Sequence, residues 1–387
     1  MFYQLPPAGE RIILKRDRRA NRRAEELFHP FSVRFYNSGT AALAAALKAA
    51  IAASRSKSPE VVLPAYGCPS LVSAVLYAGA RPRLVDLTPD RPWMDLDQLR
   101  SSICDNTAAV VAVELFGIPE RYDEIKALLH GRGIPLVQDS AQALPRPGDG
   151  QWQGDYVVLS FGRGKPVSLL GGGAVLCRDP VLDSALSGTS VLLPPTVGDI
   201  FRFRLKALAY NVLTSPYLYW LPAKLPFLGL GETRYKALDS VGPAEPILGE
   251  FLPANINEYW HGPDIVQTRL TALIADVSKG QMLDLFSGCC EPGRVQRLLR
   301  YPVLAADQSL RDRLFQVLDR EGLGVSKMYP ASLPNIRGLE SHLRVEGAAY
   351  PNAEAFARRI LTFPVHSRVR EIDLQRMHTC IRAVTGH

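Results

Sequence analysis

The sequence predicts an α/β protein: a mainly parallel sheet flanked by helices, followed by a smaller C-terminal α/β domain. Three observations predict it. From residue 37 onward, short apolar runs alternate with helical stretches, the pattern of parallel strands lying under covering helices. The apolar runs are nearly continuous, as in strands buried on both faces. At 387 residues and 47% hydrophobic content, the chain can also bury a large core beside a smaller companion.

The elements follow in order. TAALAAALKAAIAAS (40–54) is alanine-rich and helical, VVLP (61–64) is a short strand, and PSLVSAVLYAG (69–79) is a helix closed by Gly79. RLVDL (83–87) and AAVVAVELFG (108–117) return to strand, RYDEIKALLHGRG (121–133) is helix with glycines at its exit, and IPLVQD (134–139) is strand. YVVLS (156–160) and AVLC (174–177) complete the apolar runs of the large domain.

Residues 180–256 break this rhythm. FRFRLKALAYNVLTSPYLYWLPAKLPFLGLG (201–231) is aromatic and apolar, yet Asn211, Pro216, Pro222, Lys224 and Pro226 interrupt it, which argues against a membrane span. Two readings stand: a packed insertion over the active site, or an amphipathic surface element against a bilayer or partner subunit. After residue 295, strand (299–305), helix (308–324), helix (352–361), strand (362–365) and helix (371–384) form the smaller unit. The expected division is a large domain over 1–250, with an atypical insertion at about 186–250, and a small domain over 251–387.

The net charge of +7 is concentrated in RIILKRDRRANRR (11–23). The expected reading is a solvated helix face, with attraction to an anionic lipid surface or a phosphorylated substrate as the functional alternative. No recognition motif or aromatic ladder accompanies it, so a nucleic-acid partner is not expected. The six cysteines show neither a C-x-x-C pair nor regular spacing, which points away from a disulfide framework or zinc and towards a reducing, cytoplasmic compartment. MFYQLPPAGE lacks the pattern of a secretory signal.

Three elements carry chemistry. YNSGTAAL (36–43) places Ser38, Gly39 and Thr40 at a helix start, where unpaired backbone N–H groups favour a phosphate or the serine acts as an N-cap. QDSAQA (138–143) puts Asp139 at the carboxyl end of a strand, able to pair with a protonated ring nitrogen or to cap a helix, with Gln142 on the same rim to reach a ring hydroxyl. SFGRGKPVSLLGGGA (160–174) sets Ser160 and Lys165 after the next strand, the lysine between apolar runs and three glycines. A phosphate site, an acid for a pyridinium and a lysine amine are the parts that pyridoxal phosphate (PLP) requires.

The order of SGTAAL (38–43), VVLPAYGCPSLVSAVLYAGARPRLVDL (61–87), LFGIPERYDEIKALLHGRGIPLVQDSAQA (115–143) and SFGRGKPVSLLGGGA (160–174) resembles the DegT/StrS-type family of PLP-dependent sugar aminotransferases, with NAEAFARRILTFPVHSRV (352–369) like its closing stretch. The resemblance implies a fold-type-I PLP enzyme working as a homodimer with its active sites at the subunit interface. It implies Lys165 as the covalent anchor, Ser160 with Ser38, Gly39 and Thr40 around the phosphate, Asp139 on the pyridine nitrogen and Gln142 on the 3′-oxygen. Lysine, where relatives that eliminate a hydroxyl carry histidine, favours amino transfer. The ring-stacking aromatic of the family falls at Cys68 in PAYGCPS (64–70), so Tyr66 or another residue takes its place. The asparagine that reaches the partner's phosphate falls in FLPANINEYWHGPDIVQ (251–267), where Asn255 or Asn257 substitutes. His261 lies in that same segment, and His366 in FPVHSR is expected to be structural. The expected activity is amino transfer, with glutamate as donor, to a keto-sugar nucleotide in polysaccharide or secondary-metabolite biosynthesis. The alternatives are PLP-dependent decarboxylation or acyl transfer on an amino-acid-derived substrate, or a membrane-associated, non-catalytic relative touching the bilayer through 11–23 and 201–231.

Overall fold

The computed structural model describes residues 3–17, 26–146, 149–150, 152–187, 192–225, 232–262, 264–290, 297–343 and 349–386. β1 (Ser32–Tyr36), α1 (Gly39–Ala53), β2 (Glu60–Pro64), α2 (Ser70–Tyr77), β3 (Arg81–Val85), α3 (Leu96–Ser102), β4 (Thr107–Val113), α4 (Tyr122–Leu129), β5 (Leu136–Asp139), β6 (Tyr156–Ser160) and β7 (Gly173–Cys177) form the large domain, with sheet order β1-β7-β6-β5-β4-β2-β3. The pairs from β3 through β6 are parallel, whereas β7 runs antiparallel to both β6 and β1. The mainly parallel sheet flanked by helices is therefore present.

Both faces of the sheet are covered, which is why its strands read as continuous apolar runs. Tyr156 and Val158 of β6 face the core under α1, while Val157 and Leu159 face an opposite core. In α1, alanines at 41, 42, 44, 45, 46, 49 and 50 are buried, so the helix axis lies close to the sheet with little side-chain entropy lost. Two strand limits differ from the sequence reading. β3 starts at Arg81 because Arg81 and Arg83 point outward to Glu60, at 3.3 and 2.7 Å, and these edge charges disguise its beginning. The run 108–117 leaves the sheet after Val113, since Phe116 and Gly117 adopt positive φ in a tight turn.

The insertion contains a helix, α5 (Val197–Leu213), and α6 (Ile247–His261) follows it. α7 (Ile265–Val277), β8 (Met282–Asp284), β9 (Arg300–Ala305), α8 (Gln308–Arg320), α9 (Pro351–Arg359), β10 (Ile360–Pro364) and α10 (Glu371–Thr385) form the smaller domain around an antiparallel sheet of order β10-β9-β8. Just past the expected boundary at 250/251, Phe251, Leu252, Ile256 and Tyr259 of α6 pack with Val157, Leu159 and Leu176 of the large sheet.

The basic N-terminal run is not a free helix where it is described. Residues 11–17 form neither helix nor strand, Ile12 is buried, and Arg16 is held by both carboxylate oxygens of Glu250, one at 2.9 Å. Asn211 of α5 accepts from the Ile12 N–H and donates to its carbonyl, both at 2.9 Å, and Asn255 of α6 does the same at Ile13, at 2.8 and 3.0 Å. Two asparagines thus act as a strand edge for the segment. Asn211, one of the polar interruptions of the apolar run, lies within α5 with its amide used in this way. Residues 18–23 and 226–231 lie outside the described residues.

Candidate active site

The site forms beyond the carboxyl ends of β5 and β6, where open parallel sheets bind ligands. Ser38 is the N-cap of α1, its Oγ accepting from Ala41 N–H at 3.1 Å, so the capping reading holds. The N–H groups of Gly39 and Thr40, in the first turn, have no intrahelical acceptor. A Cβ built on Gly39 would lie 2.6 Å from both Cβ and Oγ of Ser160, and one built on Gly173 would lie 2.6 Å from the Gly39 backbone. Only glycine lets the helix start, the Ser160 hydroxyl and the glycine return converge. Thr40 is half-buried at the rim.

Asp139 ends β5 with 8% of its surface exposed, and one carboxylate oxygen accepts from Ala141 N–H at 3.0 Å. Burial raises its pKa above the ordinary aspartate value, and the Ala141 N–H and the positive charge of Lys165 pull it back down. Lys165 stands in the loop joining β6 to β7. It makes no hydrogen bond or ion pair to any described residue, and its neighbours around a small void include Pro166, Tyr259 and His366. The lysine is therefore an amine without a structural partner, electrostatically joined to a buried acid.

Gln142 is buried, its amide oxygen accepting from Phe116 N–H at 3.0 Å and its amide nitrogen donating to the Tyr329 hydroxyl at 3.3 Å. Cys68 is half-buried and hydrogen-bonds the same tyrosine. Tyr329 links these residues across the domains, and burial pushes its phenol well above the ordinary value. The sequence reading missed it, because it comes from a proline-flanked turn without periodicity. Glu114, directly after β4, was missed as well. It is fully buried, accepts from Gln138 at 3.1 Å, and burial raises its pKa to about 7. An acid inside an apolar run was the available signal.

Two expectations change, those for Tyr66 and Asn255, while the Asn257 side chain makes no hydrogen bond among the described residues. Tyr66 is completely buried, its hydroxyl donating to Met328 O at 2.5 Å and its ring packed edge-on to Phe356 with centroids 5.0 Å apart, so it offers no free ring face. Asn255 spends its whole amide on Ile13 and Phe251 O and is not free for a phosphate. Asn257 is exposed on the outer side of α6, with only its carbonyl engaged, by His261 at 2.9 Å. His261 faces solvent. His366 is buried, its Nε2 on Pro6 O at 2.7 Å, and burial lowers its pKa, so it is a structural tie to the N-terminal segment.

PLP fits this arrangement on three observations: the Gly39–Ser160 cradle, a buried Asp139 with no ion pair, and an unpartnered Lys165. Ser38, Gly39, Thr40 and Ser160 would hold the phosphate, and Asp139 the ring nitrogen.

Residues 25–191 match the model of the DegT/DnrJ/EryC1/StrS aminotransferase family. The chain is 26% identical over 353 residues to the UDP-N-acetyl-3-dehydro-alpha-D-glucosamine 3-aminotransferase of Acidithiobacillus ferrooxidans, covering 89% of this chain and 82% of that protein. Its fold is that of DesI solved in the presence of its TDP-sugar product (TM-score 0.71, 19% identity, 100% and 93% of the two chains). It is also that of the PLP form of a sugar aminotransferase of Streptococcus pneumoniae (TM-score 0.66, 18% identity, 95% and 90%). The stretch that matches that family model, residues 25–191, is the one that supplies Ser38, Gly39, Thr40, Asp139, Gln142, Ser160 and Lys165.

Proposed function

We propose that this protein is a PLP-dependent aminotransferase that moves an amino group from an amino-acid donor, glutamate in the first instance, to a keto-sugar nucleotide. The observation that carries the reading is the Gly39–Ser160 cradle at the strand ends that also hold the buried Asp139 carboxylate and a Lys165 amine that no described residue engages. When bound, PLP supplies an electron-withdrawing ring conjugated to the reacting carbon. The α1 start and Ser160 fix the phosphate end, and the Asp139 carboxylate keeps the proton on the ring nitrogen. Lys165 Nζ provides the covalent anchor, then carries a proton to and from the substrate α-carbon. The relatives reported above are aminotransferases, which favours this reading over decarboxylation or acyl transfer. The test is spectral: glutamate should convert the holoenzyme's visible band to that of the amine form, and no donor doing so would sink the assignment.

The same reading includes a homodimer in the cytoplasm and a peripheral contact with anionic lipid. Val197, Phe201, Leu205, Leu208 and Val212 form an exposed apolar stripe on α5, Phe201 being 70% exposed, with Arg202 and Arg204 beside it. Apolar side chains flanked by arginines suit an interfacial helix. No helix among the described residues is long and apolar enough to cross a membrane.

A further inference from the structure

Gln142 is held at both ends of its amide, and the two ends are not equivalent. The Phe116 N–H at 3.0 Å requires an acceptor, so the amide oxygen lies there and Nε2 faces the Tyr329 hydroxyl at 3.3 Å. That bond uses one of the two Nε2 hydrogens, and the second has no acceptor among the described residues. The Tyr329 oxygen accepts the first, so its own hydrogen points to its other partner, the Cys68 thiol. The hydrogen bonds therefore run in one direction, from Phe116 through Gln142 and Tyr329 to Cys68, each polarising the next.

The phenol at the centre of this chain is fixed from both domains. Tyr329 is buried in the loop after α8. Upstream of it, Ser326 exchanges two backbone hydrogen bonds with Thr362 of β10, at 3.0 and 2.9 Å; downstream, the Leu333 N–H donates to Ala65 O, just past β2, at 2.8 Å. The Tyr66 hydroxyl accepts from the Tyr329 N–H, and the two rings stand edge-on with centroids 5.9 Å apart. Tyr66 meets Phe356 of α9, and Phe356 stacks on Phe116 at 6.4 Å. The circuit closes where it began, at the residue whose N–H holds the Gln142 oxygen. The seating of the small domain thus reaches the Gln142 amide through one hydroxyl.

We propose that Tyr329 is a positioning residue for amino transfer: it pins the Gln142 amide so that the remaining Nε2 hydrogen is left for the cofactor's 3′-oxygen, and the Cys68 thiol sets the direction of the Tyr329 hydroxyl. The proposal rests on the aminotransferase reading for the identity of the cofactor. An amide turned over about its last bond would offer an oxygen where the N–H is needed, and the Phe116 N–H and the Tyr329 lone pair together prevent that. A hydrogen bond donated to a 3′-oxygen spreads its negative charge and so lowers the pH at which the lysine-linked cofactor gives up its proton.

The test is the pH midpoint of the visible band in the PLP-loaded wild type, Tyr329→Phe, Gln142→Met and the double variant. Tyr329→Phe should raise the midpoint by about half a unit or more, roughly threefold in the proton equilibrium, and should add nothing further in the Gln142→Met background. A merely structural role, loosening the pocket, would add a second shift there. Cys68→Ala should move the midpoint in the same direction, and Cys68→Ser should restore it. The same midpoint in Tyr329→Phe as in the wild type, a band that titrates in neither, or additive shifts in the double variant overturns the proposal. Where Tyr329→Phe does not fold, the Cys68 variants decide, and an unmoved midpoint in Cys68→Ala overturns it. The two readings fail differently: a wild type with no visible band sinks the aminotransferase reading and this inference with it, whereas a normal band with an unmoved midpoint sinks this inference alone.

Discussion

Ser160 occupies the space that any side chain at residue 39 would need: a Cβ on Gly39 would meet its Oγ at 2.6 Å. The end of β6 and the first turn of α1 are therefore fitted against each other through one missing methyl group. Gly39→Ala should push the helix start away from Ser160 and weaken PLP affinity at least tenfold, with the secondary structure retained. Equilibrium dialysis against PLP measures this, and an unchanged affinity would show that the phosphate lies elsewhere.

Lys165→Ala should leave a folded protein, because the amine holds no structural contact. Borohydride treatment followed by peptide mass analysis should fix the cofactor to the wild-type loop and to nothing in the variant. A variant that keeps the covalent adduct would remove Lys165 from its role.

Asp139→Asn keeps the hydrogen bond from Ala141 but loses the charge that opposes a ring cation. The rate of the glutamate half-reaction should fall by about two orders of magnitude or more, roughly 3 kcal/mol in the barrier, while PLP still binds. A rate within threefold of the wild type would contradict the assignment.

Glu114 gives a pH prediction with a fixed sign. Its pKa rises on folding to about 7 because it is buried, so the folded state favours the protonated form. The stabilisation is fully present below the unfolded value and is lost as pH rises through about 7. Glu114→Gln should remove this contribution, flattening the fall in unfolding free energy between about pH 4.5 and 7 by up to roughly 3 kcal/mol. Parallel pH–stability curves for the two proteins would be the contrary result. Glu120, also raised to about 7 by burial, continues to titrate in both.

Replacing Phe201, Leu205 and Leu208 together by serine removes the middle of the α5 stripe without touching its buried face of Ile200, Phe203 and Ala207. Flotation with phosphatidylglycerol-containing liposomes should recover the wild type with the lipid and leave the triple variant in the soluble fraction. Equal recovery would end the membrane proposal.

The sequence by itself determined the alternating α/β core and the chemistry at its strand ends. Those signals are local: apolar runs buried on both faces, SGT at a helix start, Asp139 closing one strand, Lys165 following another. It also showed that 180–256 departs from this pattern, though not what that region does. Only the tertiary structure decided that Tyr66 is sealed against Phe356, that Asn211 and Asn255 grip the N-terminal segment, and that α6 packs on the large sheet. It alone brought Tyr329 to the site. These are contacts between residues far apart in the chain, such as Tyr66 with Tyr329, 263 positions on. Such partners are chosen by how packed surfaces meet, and neither periodicity nor motif spacing along one stretch of chain records that choice.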